Sequence, residues 1–201
     1  MGGARSLALS KRLRFKTEAG NPILLREKGM ETVCTFNALS RLIRTGLRRN
    51  LSTSEIEILL SQIRIRKQDF QKFVVENSES YSRTSIACSA FAELLVLTWM
   101  PTQESPIHDH ASSNCGIRVL EGKLTETIYQ AVENIEGVAR MIGVSDWSTG
   151  IVGSSSLATI HKVTNQTDER LISLHLYSPP LLREEMKIYR EVRHKTMSAN
   201  N

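Results

Sequence analysis

The sequence predicts a mainly β chain with helices on its N-terminal side and a β-sandwich or barrel after them. Two patterns support this fold class. Apolar residues recur at steps of three and four between about residues 31 and 76, which is typical of amphipathic helices. From about residue 81 to residue 180, short segments rich in β-branched residues alternate with turn-forming residues. A group of helices followed by a run of strands favours an α+β chain.

The composition is that of a globular protein and limits the partners that we expect. The 201 residues are 40% hydrophobic and 23% charged, enough for one domain with its own core. The net charge of +5 is spread along the chain with few aromatic residues between the basic ones, so no nucleic-acid partner is expected. The longest apolar run, Phe91–Met100, is too short for a membrane span. Three cysteines without a C-x-x-C pair suit a reducing cytoplasm. We expect a cytoplasmic monomer.

The first 20 residues are predicted to form a basic flexible arm, because five lysines and arginines precede the first acidic residue, Glu18. The same stretch also matches, more weakly, lipidation and targeting patterns. The rest of the chain is predicted to be one domain, residues 21–201. We divide it into helices at about 31–76, a barrel at about 81–180 and a tail at 181–201.

Three helices are expected ahead of the strands, as scaffold for the β region. The first spans Glu31–Asn50, where apolar side chains fall on one face. The second begins near Ser54, whose hydroxyl can cap the first turn while Glu57 reaches back to the cap. The third is shorter and spans about Lys67–Glu76.

The β region is predicted to begin with two strands between Tyr81 and Trp99, joined near Ser89. Further short strands follow as far as Pro179. Turns between them are expected at Gly122, Gly137, Asp146 and Gly150. The charged segment Glu184–Arg193 is predicted to be helical or irregular.

Histidines in the β region indicate a metal site. His108 and His110 are two residues apart, and alternate side chains of a strand share one face, so both imidazoles can reach one point. His161 lies in another segment of alternating apolar and polar residues and is a third candidate ligand. The alternative is that these histidines are solvated or hydrogen-bonded in the core, the ordinary state of an isolated H-x-H pair.

A second polar pattern lies further along the chain. Ser173, His175 and Tyr177 alternate with apolar residues in a predicted strand and therefore share one face. A serine and a histidine could indicate a hydrolase. The chain, however, has no G-x-S-x-G motif and no evident acidic partner for the pair.

Taken together, these motifs resemble the cysteine dioxygenase family of the cupin superfamily. The resemblance spans about Tyr81–Pro180, half the chain, and implies a jelly-roll barrel with an interior ligand site. It rests on the H-x-H pair His108 and His110, Cys115 in the usual place of a glutamate, Gly122, the pair His161 and Asn165, and the segment Ser173–Pro180.

The resemblance implies a single Fe(II) held by His108, His110 and His161. Imidazole also suits zinc, copper and nickel, so the choice of iron depends on the resemblance. Three neutral ligands leave the ion its charge and open positions for a thiolate, an amine and O2. A carboxylate in place of Cys115 would lower that charge and compete with the thiolate.

The resemblance also assigns roles around the iron. Arg83, with Tyr81 beside it, stands where the family binds the substrate carboxylate, and a guanidinium pairs with a carboxylate through two hydrogen bonds. The face formed by Ser173, His175 and Tyr177 resembles the family's hydrogen-bond relay.

Cys115 and Tyr177 occupy the positions that some family members join by a thioether bond, and both partners are present here. Two segments depart from the family pattern. Residues 156–158 replace the usual P-x-G of the second cupin motif, and Leu181–Glu184 replaces a segment that contains a cysteine in animal members.

The expected function is therefore oxidation of the thiol of L-cysteine by O2 to cysteine sulfinate. Two alternatives stay open. One is a dioxygenase of another small thiol acid, 3-mercaptopropionate, for which the family pattern has a glutamine in place of Arg83. The other is a cupin that binds metal without catalysis.

Overall fold

The computed structural model describes residues 14–16, 22–24, 34–155 and 159–192. The helices are α1 (Phe36–Arg41), α2 (Thr53–Gln62) and α3 (Lys67–Phe70). Single helical turns are Leu42–Gly46, a π-helical continuation of α1, and the 3-10 segments Gln71–Phe73 and Arg183–Glu185. The strands are β1 (Arg14–Lys16), β2 (Pro22–Leu24), β3 (Cys34–Thr35), β4 (Ile63–Arg64), β5 (Ser82–Cys88), β6 (Glu93–Trp99), β7 (Ile107–His108), β8 (Asn114–Glu121), β9 (Lys123–Ala131), β10 (Val138–Ser148), β11 (Val152–Ser155), β12 (Ile160–Thr164), β13 (Leu171–Ser178) and β14 (Ile188–Glu191).

Ten of these strands form two sheets. One sheet has the order β11-β8-β13-β6-β5. The other forms a closed barrel in the order β10-β14-β7-β12-β9. Side chains from both sheets share one core cluster, which includes Leu97, Val119 and Tyr177 from the first sheet and Leu124 and Val163 from the second. The predicted class, a mainly β chain with helices ahead of a jelly-roll type barrel, is confirmed.

β13 is the strand on which this architecture depends. All eight of its residues are buried, because the strand is covered on both faces. Ile172, Leu174 and Leu176 belong to a core cluster with the helices. The alternate residues, from Ser173 to Tyr177, face the space between the two sheets. β13 therefore separates a helical layer from the interior of the barrel.

Helix α2 packs on strand β8 at a point where only glycine fits. A Cβ atom at Gly116 would collide with Ile56 and lie 2.9 Å from Cδ1 of Leu60. Two residues further on, the half-buried Arg118 guanidinium donates hydrogen bonds of 2.7 Å to the carbonyls of Leu60 and Ile63 at the end of α2. The barrel strand thus satisfies carbonyls that a helix end leaves without partners.

The start of α2 differs from the prediction. The cap is Ser52, whose hydroxyl accepts from the amide of Glu55 while that carboxylate accepts from the Ser52 amide. Ser54 and Glu57, the predicted pair, lie two residues too late. Arg49 favours the earlier start because its guanidinium donates to Glu55 at 2.6 and 2.9 Å. That pairing is the main reason why the pKa of Glu55 is lowered to about 2.

The other helices are shorter than predicted. Of the predicted helix Glu31–Asn50, the structure describes residues from 34 onward, and the helical part is 36–46. The helix expected to reach Glu76 ends at Phe73, and Val74 is already extended. Val74 and Val75 are β-branched, which disfavours helix and favours extended backbone.

Two further predictions along the strands were wrong. Asp146 lies within β10, where it accepts from Thr125 at 2.7 Å and pairs with Lys123, and it does not mark a turn. The tail expected to be helical or irregular is so as far as residue 187, but its second half is the strand β14, which pairs with β10 and β7. Asp109 holds the start of β14, accepting from the Lys187 amide and the Tyr189 hydroxyl.

Some sequence predictions fall outside the described residues, among them the basic arm at 1–20, apart from β1, the segment 156–158, and the chain end at 193–201. In the part of the chain that the structure describes, no helix has the length and apolar character needed to cross a membrane.

Candidate metal centre

The structure brings His108, His110 and His161 together between the two sheets. His108 ends β7 and lies directly opposite His161 of β12. His110 lies beyond the end of β7, in the loop after it, so the sequence expectation that it shares a strand with His108 is not met. The loop turns at Ala111, which has a φ of 48°. All three side chains are buried, and their ligand nitrogens lie within 4.8 Å of one another.

Each imidazole is oriented by a partner at its Nδ1 atom. The Pro106 carbonyl lies 2.9 Å from Nδ1 of His108, the Ser155 hydroxyl 3.4 Å from Nδ1 of His110, and a Glu126 carboxylate oxygen 2.7 Å from Nδ1 of His161. These contacts leave the three Nε2 atoms for a common ligand, the arrangement found where histidines bind a metal.

The donor set fits a metal ion. Nε2 of His110 is buried, and no hydrogen-bond partner for it exists among the described residues. An unpaired buried nitrogen is costly unless something binds it. Burial is the main cause that lowers the pKa of His108 to about 3 and that of His110 to about 2, and the neighbouring histidines add to it. Both imidazoles are therefore neutral at pH 7, as metal ligands must be.

Arg83 and Tyr81 line the same interior. The Cζ atom of Arg83, on β5, lies 5.6 Å from the centre of the Tyr177 ring. Tyr81 stacks on Trp99, with ring centres 4.1 Å apart and an angle of 17° between the planes. The positive charge of Arg83 also contributes, after burial and other charges, to the low pKa of His110. A cation thus lies near enough to the histidine cluster to act on it electrostatically.

The residues on the inner face of β13 form a continuous chain of hydrogen bonds that begins at Trp99. The Trp99 indole donates to Ser173 Oγ at 3.0 Å, Ser173 Oγ lies 2.9 Å from Nε2 of His175, and Nδ1 of His175 lies 3.3 Å from the Tyr177 hydroxyl. An indole N–H can only donate. Ser173 Oγ keeps a proton and a second lone pair for His175 Nε2, so the tautomer of His175 sets the direction of the two bonds that follow. When His175 carries its proton on Nδ1, the Tyr177 hydroxyl accepts from it and keeps its own proton for the site.

Cys115 and Tyr177 are directly opposite each other on β8 and β13. Cys115 is completely buried, and burial is the main cause that raises the pKa of its thiol to about 12. The thiol and the Tyr177 hydroxyl are in hydrogen-bond contact. At neutral pH Cys115 is a thiol, not a thiolate, so it does not compete with the histidines as a charged metal ligand.

Sequence reasoning missed two of the residues that orient this cluster. Glu126 was missed, although the sequence carried a signal for it. It lies two residues after Leu124, and residues two apart on a strand share a face, so this charged residue could have been expected to point inward with Leu124. Ser155 precedes the segment that departs from the family motif and carried no signal. Trp99 was predicted only as the end of a strand, without a role in the relay.

The fold and the cluster define a class of protein: a cupin-type barrel with three buried imidazoles able to hold one metal ion. Comparison with known families is more specific. The model of the family "Cysteine dioxygenase type I" matches residues 28–191, and the chain belongs to this family.

Individual relatives agree with this assignment. The chain is 27% identical over 139 residues to cysteine dioxygenase type 1 of Danio rerio, which covers 65% of this chain and 67% of that protein. It is 33% identical over 95 residues to cysteine dioxygenase type 1 of Homo sapiens, covering 43% of this chain and 44% of the human protein. The matched region thus spans less than half the length of the human relative.

Solved structures with a similar backbone include a Klebsiella pneumoniae protein with a double-stranded β-helix domain, with a TM-score of 0.46, 17% identity and coverage of 60% of this chain and 93% of the other. Oxalate decarboxylase from Bacillus subtilis matches with a TM-score of 0.45 and 20% identity, over 57% of this chain and 30% of the other.

Proposed function

We propose that the protein is an iron-dependent dioxygenase that oxidises the thiol of L-cysteine with O2 to cysteine sulfinate. Family membership supports a metal-dependent dioxygenase. The observation that carries the proposal in this chain is the buried cluster of His108, His110 and His161, with the Arg83 guanidinium over the neighbouring Tyr177 ring. When bound, the ion would supply a Lewis-acidic, redox-active centre that favours the thiolate form of the substrate.

Arg83 would bind the substrate carboxylate. Its guanidinium is a planar fork that can donate two parallel hydrogen bonds to a carboxylate. Because Arg83 lies over the Tyr177 ring at 5.6 Å, a carboxylate bound there would place the rest of a small amino acid beside that ring and toward the histidines. Tyr81, fixed by its stacking on Trp99, would close the same side of the pocket.

The relay on β13 would present a proton at a defined point. With His175 protonated on Nδ1, Trp99, Ser173 and His175 would orient the Tyr177 hydroxyl so that it donates into the site. Charge that develops on sulfur or oxygen during oxidation can accept this hydrogen bond, and a fixed donor in a site without water is more effective than one in solution. The reaction adds both oxygen atoms of one O2 to sulfur, so it needs no external reductant.

Cys115 and Tyr177 would form a thioether bond during turnover. Their side chains already touch across neighbouring strands. Forming the bond removes the thiol hydrogen and one ring hydrogen, and O2 takes up the two electrons and two protons. The tyrosine hydroxyl is retained, so the relay would persist in the crosslinked protein.

Oxygen uptake by the anaerobically Fe(II)-loaded protein tests the proposed function, with L-cysteine and 3-mercaptopropionate offered separately. We expect uptake with cysteine and a product heavier by two oxygen atoms. The variant His161→Ala should remain folded but lose iron and activity. Preference for 3-mercaptopropionate would overturn the substrate while retaining the metal centre. Tight metal binding without uptake on either thiol would replace the proposal with a cupin that binds metal and does not catalyse.

A further inference from the structure

One carboxylate is buried beside the histidine cluster and has no part in the proposed reaction. Glu126 lies on β9 and is 6% exposed. The neighbouring strand β12 places Val163 opposite Glu126 and His161 opposite Ile128. His161 and Glu126 are therefore diagonal neighbours on one face of the pair of strands, close enough for side chains to meet.

The contact between them is short and buried on both sides. An oxygen of Glu126 lies 2.7 Å from Nδ1 of His161, and the two side chains are 8% and 2% exposed. Within the described ranges, no lysine or arginine forms an ion pair with this carboxylate. A buried carboxylate is costly without a partner that donates to it, and in this structure the imidazole N–H of His161 is that donor.

The three histidines differ in what lies behind them. His108 faces a backbone carbonyl and His110 a serine hydroxyl, both neutral, whereas His161 faces a carboxylate. Hydrogen bonds to an ionised acceptor are shorter and about twice as strong as neutral ones. A carboxylate behind an imidazole also fixes the ring and makes the other nitrogen a stronger ligand.

We propose that Glu126 is a positioning residue for the metal centre, orienting His161 and supplying one negative charge to the centre without occupying a coordination position. This inference rests on the proposed metal site. In the family pattern Cys115 stands where other cupins have a glutamate ligand. Glu126 supplies a carboxylate charge to the site through its hydrogen bond to His161, without binding the ion itself. The ion is therefore held tightly while its open positions remain available to substrate.

The variant Glu126→Gln tests this role because it keeps the shape and an oxygen acceptor but removes the charge. Co(II) alone serves as the probe, titrated into metal-free protein in competition with a chelator. We expect the affinity of the variant for Co(II) to fall by about 10- to 100-fold, the usual effect of removing such a partner. The matched control is Glu104→Gln. Glu104 is half-exposed and pairs at 2.9 Å with Lys162, the residue next to His161. Glu104→Gln therefore removes the same charge close to the site without changing a residue that contacts a metal ligand.

The reduction potential of the iron-loaded protein separates the charge from a merely structural effect. Removing a negative charge beside the ion disfavours Fe(III), so Glu126→Gln should raise the potential while Glu104→Gln leaves it close to wild type. Should Glu126→Gln fail to fold, Glu126→Asp decides the question. It keeps the charge but withdraws it from His161, and we expect weaker Co(II) binding with a nearly unchanged potential.

The outcomes distinguish this inference from the proposed function. If wild-type protein binds Co(II) and Glu126→Gln binds it equally well with the same potential, the role of Glu126 is wrong and the metal centre stands. If Glu126→Asp binds Co(II) with wild-type affinity, the role of Glu126 is likewise wrong and the metal centre stands. If wild-type protein binds no Co(II) or iron, both the metal centre and the role of Glu126 are overturned.

Discussion

Trp99 and Ser173 are joined by a buried hydrogen bond of 3.0 Å between the indole nitrogen and the serine hydroxyl. The indole can only donate, so this bond makes Ser173 Oγ an acceptor and holds it in line with His175 and the Tyr177 hydroxyl. Trp99 lies on β6 and Ser173 on β13, opposite Leu97. The first hydroxyl of the relay is therefore held in place by a residue that lies outside the alternating motif.

Replacing Trp99 with phenylalanine should disorder the relay. The serine hydroxyl loses its fixed donor and can rotate, so the hydrogen bonds that orient His175 and the Tyr177 hydroxyl weaken. We expect kcat with cysteine to fall by about tenfold, the effect of losing one hydrogen bond of about 1.4 kcal/mol, with little change in metal affinity. Steady-state oxygen uptake and a Co(II) titration measure the two quantities. Phe91→Leu, a change in a half-buried aromatic residue on the helical side, is the control, and an equal loss of kcat in both variants would contradict the relay.

Replacing Arg83 with glutamine should weaken binding of the substrate carboxylate. A charge-assisted hydrogen bond contributes about 1.5–3 kcal/mol, so we expect kcat/KM for cysteine to fall by roughly 10- to 150-fold, mainly through KM. Arg83→Lys should lose less because it keeps the charge. Cysteamine, a thiol without a carboxylate, provides the control: its turnover should be equally slow in both proteins. Unchanged kcat/KM for cysteine in Arg83→Gln would favour a different thiol substrate.

The thioether between Cys115 and Tyr177 can be detected by intact mass. After turnover with iron, cysteine and O2, we expect a fraction of the protein to be lighter by two hydrogen atoms and to resist alkylation at Cys115. Cys115→Ser cannot lose this mass and serves as the control. Protein that turns over many times while Cys115 stays fully open to alkylation after unfolding would show that the bond does not form.

Adding a methyl group at Gly116 should separate α2 from the barrel. Its Cβ would collide with Ile56, so we expect Gly116→Ala to lower the free energy of unfolding by about 1–3 kcal/mol, as overpacking usually does. At Gly143, another strand glycine, a Cβ would meet nothing within 4 Å, and Gly143→Ala should change stability by less than about 0.5 kcal/mol. Urea denaturation measures both. Equal effects at the two positions would contradict the close packing of α2.

The capping box of α2 should make stability depend on acid. The pKa of Glu55 is lowered to about 2, first by hydrogen bonds from Arg49. A lowered carboxyl pKa stabilises the folded state above the ordinary pKa near 4.5, and this stabilisation is lost as the pH falls toward 2. Because Arg49 is 63% exposed, solvent screens the pair, and we expect on the order of 1 kcal/mol at pH 7.

Urea denaturation of wild type and Glu55→Gln at several pH values checks this. The difference in unfolding free energy should be constant from pH 7 to about 5 and shrink below that. High salt should reduce it at pH 7. A difference that grows on acidification would have the wrong sign for this pair.

The sequence was most informative where a side chain's direction follows from strand alternation. Because β13 is a regular strand, Ser173, His175 and Tyr177 could be placed on one face from spacing alone. His110 could not, since β7 ends at His108 and the chain bends through Ala111. The proximity of His161 to the other two depends on a pairing of β7 with β12 across 53 residues of chain, which no local pattern encodes. The resemblance to a known family supplied that contact.

Contacts made across strands were the least predictable. The partnership of Glu126 with His161 depends on the register of β9 against β12. The anchoring of the relay at Ser173 depends on the register of β6 against β13, which brings the indole of Trp99 to that hydroxyl. The capping box was misplaced because Ser52 and Ser54 both fit the local rule, and the choice between them was made by Arg49, outside the motif.

The double burial of β13 means that the helical layer cannot be treated as a detachable extension. A barrel trimmed of residues 34–73 would expose Ile172, Leu174 and Leu176 to water on the strand whose intervening residues aim Tyr177 at the histidines. Such a strand would be free to shift or fray, and a shift by one residue would turn the relay outward. The smallest unit of this chain that can keep its site in order therefore includes the helices behind β13. A shortened or grafted version of the centre must include these helices.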